Sequence, residues 1–148
     1  MTGKDYVLAA LLGGTYILLF SYLVGYTMTW GDLASWYDFW GQSSASAIIW
    51  MQLVHSIGVV LAALPIAAFL AWRYKVDWIR PATIVAIIGS SYMLFDHFRG
   101  VWLLSQHDIV PESYHVVSGA IDVVKVGLIL LVVTAVLRRV FVPRRAPA

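Results

Sequence analysis

The sequence predicts an all-α integral membrane protein: a four-transmembrane-helix, up-down-up-down bundle with both termini cytoplasmic. Three observations lead there. Of 148 residues, 61% are hydrophobic and 12% charged, with a mean hydropathy of +0.80, whereas a soluble domain runs about 45–50% apolar and about 25% charged. Four segments are each long and apolar enough to cross a bilayer. Basic residues gather in alternate connections between those segments.

A spanning helix needs roughly 20 mostly apolar residues to cross about 30 Å of hydrocarbon. Segments 6–28, 47–72, 82–104 and 115–137 meet that requirement. Lipid offers a backbone no hydrogen-bond partner, so each must close its own bonds as a helix. The first segment reads as a retained anchor rather than a cleaved leader. Its apolar run is long, and Thr27, Met28 and Thr29 lack a small-x-small cleavage pattern. Pro65 falls inside the second segment and is expected to bend it. Pro81 suits the first turn of the third, where a missing N–H costs nothing. Ser113 stands before the fourth as an N-cap. Residues 1–148 form a single domain, ending in a flexible basic tail over 141–148 that suits an anionic inner leaflet.

Charge sets the expected orientation. Lys4 precedes the first segment, Arg73, Lys75 and Arg80 lie between the second and third, and Arg138, Arg139, Arg144 and Arg145 follow the fourth. The other two connections carry Asp32, Asp38, Asp108 and Glu112 and no Lys or Arg. The positive-inside bias then places both termini in the cytoplasm. A plasma (inner) membrane is the expected location. In the first outer loop, Leu33, Trp36, Tyr37 and Trp40 recur at helical spacing. They suggest a short interfacial helix with its rings at headgroup depth. The sharper alternatives are a lid over the bundle or a docking surface.

Ionisable residues inside a span are costly and tend to face the bundle interior. Here ionisable residues, with one amide, concentrate in the outer half: Gln52 and His55 in the second span, Asp96, His97 and Arg99 in the third, His115, Asp122 and Lys125 in the fourth. His115, Ser118, Asp122 and Lys125 follow one helical stripe, as do Tyr92, Asp96 and Arg99, whereas His97 is turned about 100° from Asp96. One shared buried cluster is expected, with His55, Asp96 and Asp122 facing one another. The structural reading is mutual neutralisation, since Asp96 with Arg99 and Asp122 with Lys125 are both i, i+3 pairs. His107, beside Asp108 in a loop, reads as solvent-facing, and His115 as an interfacial polar end.

The absence of cysteine excludes disulfides, zinc ribbons and iron–sulfur ligation. A net charge of +2 on scattered basic residues makes no nucleic-acid surface. Nucleotide-binding and nucleophile-elbow motifs do not occur, which leans away from an enzyme without deciding the matter. A metal centre from His55, His97 and His115 with Asp96 or Asp122 lacks any recognised ligand spacing, and none is assigned. Three functions stay open. The first is a subunit, anchor or regulator of a larger membrane complex, partnered by the bilayer and by other membrane chains or further copies of itself. The second is a proton- or ion-coupled transporter or channel using the cluster. The third is a redox subunit that binds quinone, or haem b between His55 and His97 with Arg99 at a propionate.

Overall fold

A computed structural model of the chain describes residues 1–29, 44–106 and 113–141, apart from the side chains of 28, 44–48 and 113–115. The described residues form four helices: α1 (Gly3–Thr29), α2 (Ser44–Arg73), α3 (Ile79–Ser105) and α4 (Ser113–Phe141). No strand occurs among the described residues. Each helix overruns its apolar segment by one to four residues at either end, because the backbone ladder continues past the last apolar side chain. The interfacial helix expected around 33–40 and the tail beyond Phe141 lie outside the described residues, as do the loop residues His107, Asp108 and Glu112.

Helices α1, α2 and α4 are long and apolar enough to cross a membrane. α3, expected as a fourth span, is long enough at 27 residues but is not among them. Its C-terminal half carries Asp96, His97 and Arg99, which dilute an otherwise apolar run. The outside of the bundle is apolar too. Leu18 is 73% exposed, Ile49 63% and Val124 65%, and such side chains at the circumference suit lipid rather than water.

The interior is built from small residues at helical spacing. Ala62, Ala63, Ile66, Ala67 and Leu70 of α2 are buried, as are Ala82, Val85, Ala86 and Gly89 of α3 and Val126, Leu130 and Thr134 of α4. Small side chains let helix backbones approach closely where no hydrophobic difference between lipid and protein drives association. Tyr16 of α1 fills the centre, fully buried, and its phenol donates to the Val126 carbonyl of α4 at 2.9 Å. Gly89 makes room for the ring, since a Cβ there would lie 2.9 Å from Tyr16 Cε1. Pro81 sits buried in the first turn of α3, where its missing N–H has no intrahelical role. α2 runs unbroken through Pro65.

The helices are not arranged in chain order around the bundle. α1 and α4 each pack against both α2 and α3, whereas α2 and α3 lie across a diagonal and barely touch. Consecutive in the chain, α2 and α3 are thus not neighbours in the bundle. The stripes of α2 and α3 both bury against α1 and α4, and the connection 74–78 crosses the end of the bundle between them. Five extended residues reach roughly 16 Å, enough for that crossing.

That end is also the basic one. The Tyr74 hydroxyl donates to Asp5 Oδ1 at 3.1 Å, and Arg138 Nε donates to the Lys75 carbonyl at 2.9 Å while its guanidinium lies 6.0 Å from the Trp78 ring centroid. Burial and then the bond to Asp5 push the Tyr74 phenol pKa up. The chain start, the α2–α3 turn and the end of α4 are tied together there.

Candidate functional site

Toward the opposite end, α2 and α4 run side by side and bring their polar stripes together. His55 lies eleven residues into α2 and Asp122 nine residues into α4, or roughly 15 Å along each helix from its start. The Gln52 amide joins the two helices. Its Nε2 donates to Ser118 Oγ at 2.7 Å, and its Oε1 accepts a close hydrogen bond from Lys125 Nζ. An ammonium only donates, so it fixes which end of the amide faces it. Ser56 turns back on its own helix, donating to the Gln52 carbonyl at 2.6 Å.

Asp122 is the acidic centre of the group. Its Oδ1 lies 2.7 Å from Lys125 Nζ and 3.3 Å from His55 Nδ1, with all three side chains at most 17% exposed. These are ion-pair distances without hydrogen-bond alignment: neither His55 Nδ1 nor Asp122 Oδ1 has a hydrogen-bond partner among the described residues. Lys125 directs an aligned bond to Gln52, and the i, i+3 geometry brings it beside the carboxylate off the bonding line. Phe20 of α1 closes the third side, edge-on to the His55 ring at 5.5 Å between centroids. With His55 neutral, the Asp122 and Lys125 charges cancel, and cancellation of this kind makes buried charge tolerable in hydrocarbon.

The expected single cluster divides in α3. Gln52, His55, Asp122 and Lys125 come together with Ser118, whereas Asp96 and Arg99 are exposed on the outside of the bundle. Neither makes a hydrogen bond or ion pair among the described residues. The expectation that Asp96 faces His55 and Asp122 is therefore corrected. The buried stripe of α3 runs through Ala82, Ala86 and Gly89, and its i+4 continuation passes Met93 to His97, leaving Asp96 and Arg99 beside it.

His97 accordingly points at α4. It lies so close over Gly119 that a Cβ there would collide with its ring. The imidazoles of His55 and His97 pack separately, His55 against Asp122 and Phe20, His97 over the Gly119 backbone. His115 opens α4, but its side chain is outside the described residues. No group of three or more His, Asp or Glu side chains able to hold a metal occurs among the described residues. Sequence reasoning passed over Phe20 and the Gly119 seat for His97. A glycine one turn below the Asp122 stripe, opposite a histidine, was the available signal for the second.

Comparison of the chain with known protein families, with curated proteins and with solved structures finds no match.

Proposed function

We propose that this chain is a non-enzymatic subunit of a larger assembly in a plasma (inner) membrane, with all four helices crossing and both termini cytoplasmic. One observation carries the reading: Asp96 and Arg99 stand on the outside of α3 among Phe95, Phe98 and Trp102, which are 66%, 64% and 60% exposed. An ionised side chain facing acyl tails costs a few kcal/mol, whereas one at a helix–helix contact can be paired. Two of the three residues that keep α3 below the apolar content of its neighbours, Asp96 and Arg99, are thus turned toward a partner. At 27 residues, α3 extends about 40 Å and reaches across a bilayer. Lys4, Arg73, Lys75, Arg80, Arg138 and Arg139 lie at the end formed by the α2–α3 turn, which the positive-inside bias assigns to the cytoplasm.

The test is the size of the protein extracted from its own membrane in mild detergent, by native electrophoresis and by chemical cross-linking before extraction. The wild type should run as an assembly larger than one chain, and Asp96→Ala and Arg99→Ala should each diminish it. A wild type that is a single chain by both methods overturns the reading.

Proton-coupled transport is a second reading, favoured by the buried His55 Nδ1 and Asp122 Oδ1, which lie 3.3 Å apart without an aligned hydrogen bond. A proton held between them would align the pair. Proteoliposomes containing a pH dye test it: wild-type flux abolished by Asp122→Asn supports transport, and absence of flux in the wild type removes it.

A further inference from the structure

We infer that the partner on the outer face of α3 is a second copy of this chain, related by a two-fold axis along the membrane normal, with Asp96 of each copy paired to Arg99 of the other. The inference rests on the subunit reading above and names its partner.

Asp96, Gly100 and Leu103 follow one another at i, i+4 and i+7, with Arg99 beside Gly100. Such spacing makes a straight seam on a helix that packs against another at a small angle. All four are exposed in the single chain. At Gly100 a Cβ would meet nothing within 4 Å, so the glycine is not required by packing inside the bundle. A glycine on an outer seam lets two helix backbones come close. Phe95 and Trp102 lie together along the Arg99 side of the seam and supply apolar surface for the rest of the contact.

Charge then selects the partner. The seam carries one acid and one base, neither satisfied among the described residues, so it is complementary to a copy of itself. Copies of one membrane chain insert in one orientation, so α3 meets α3 in parallel. In a two-fold contact, if residue i touches j then j touches i. Asp96 and Arg99 differ in height by about 4.5 Å, an offset that the long arginine side chain covers toward the short aspartate. Each interface would hold two reciprocal pairs, with no charge left toward lipid. The inner cluster is untouched, because Asp122, Lys125, Gln52 and His55 face the α2–α4 contact.

Cross-linking in native membranes tests this. The natural chain has no cysteine, so Leu103→Cys supplies a single reporter on the seam and Val132→Cys, 52% exposed on α4, a control off it. Oxidation should give a product of twice the chain mass from Leu103→Cys and little from Val132→Cys. In the Leu103→Cys background, Asp96→Arg or Arg99→Asp alone should lower that product by about tenfold. Co-expression of the two single reversals with different tags should restore it as a mixed dimer, because each then offers the charges the other lacks.

Co-extraction of both tagged chains at wild-type helix content and melting temperature establishes that they have folded. Absence of a Leu103→Cys dimer, or reversals that leave it unchanged, overturns the inference. So does failure of the two folded reversals to pair. A Leu103→Cys product whose mass is that of this chain joined to a different one sinks the second copy but keeps the subunit reading, whereas a wild type that is a single chain in membranes sinks both.

Discussion

Lys125 and Asp122, three residues apart on α4, hold ammonium and carboxylate 2.7 Å apart while that same ammonium donates to Gln52 on α2. A pair formed within one helix is thus converted into a bond between two helices. The amide extends the link to Ser118 at 2.7 Å, so that Asp122, Lys125, Gln52 and Ser118 run as a chain of four side chains over the α2–α4 contact.

Removing one partner of a mostly buried ion pair costs about 3–5 kcal/mol, because the other charge is left without compensation. Asp122→Ala should therefore destabilise strongly, leaving Lys125 with only Gln52. Asp122→Leu combined with Lys125→Met should cost clearly less than the sum of the two single changes. Reversible unfolding in mixed detergent micelles, run as a double-mutant cycle, checks both statements. Additive costs would show that the two charges do not interact.

Gln52→Leu keeps the volume and removes both interhelical bonds. It should cost about 1–3 kcal/mol, the range expected when a buried charged donor loses its acceptor. Gln52→Glu should fare better than Gln52→Leu, because a carboxylate still accepts from Lys125. The melting temperatures of the two variants in the same detergent give the order.

The helices and their limits are legible in the sequence because lipid removes the alternatives: an apolar stretch of that length must satisfy its own backbone. The α2–α4 half of the site is legible for a related reason, since each helix offers a single polar stripe and the two stripes have only each other to face. α3 is different. It carries ionisable residues on two faces about 100° apart, and charge alone favoured Asp96 and Arg99 over His97. The arbiter was the run of small residues Ala82, Ala86 and Gly89, which fixes the inward face by close packing. The diagonal placement of α2 and α3 was not legible at all, because hydropathy says how much of a helix is apolar and not which neighbour covers it.

Glycine substitutions separate close contact from open surface. A Cβ at Gly58 would lie 2.8 Å from the Val24 Cα, a backbone atom that cannot turn aside, so Gly58→Ala must push α1 and α2 apart. Gly119→Ala must displace the His97 ring. Each should cost about 1–3 kcal/mol as overpacking. At Gly14 nothing lies within 4 Å, and Gly14→Ala should be neutral or stabilise by about 0.5–1 kcal/mol through helix propensity. Thermal melts of the three variants decide.

Tyr16→Phe deletes only the bond to the Val126 carbonyl, at 2.9 Å in the centre of the bundle. That carbonyl also lies in the α4 backbone ladder, so the loss should be modest, about 1 kcal/mol. Loss of more than about twice that, in the same unfolding assay, would mean the hydroxyl holds α1 against α4 in a way one hydrogen bond does not explain.

Under the proposed function, the polar residues at this end of the bundle form an inner group that holds the helices together and an exposed pair, Asp96 and Arg99, that holds a partner. Asp96→Ala and Asp122→Ala, each examined for melting temperature and for assembly size in the same native extract, put that division to its most direct test. Asp96→Ala should lose the assembly with helix content intact and only a small fall in melting temperature, whereas Asp122→Ala should melt well below the wild type. A single-chain wild type, an Asp96→Ala variant that assembles fully, or an Asp122→Ala variant that melts like the wild type would contradict it.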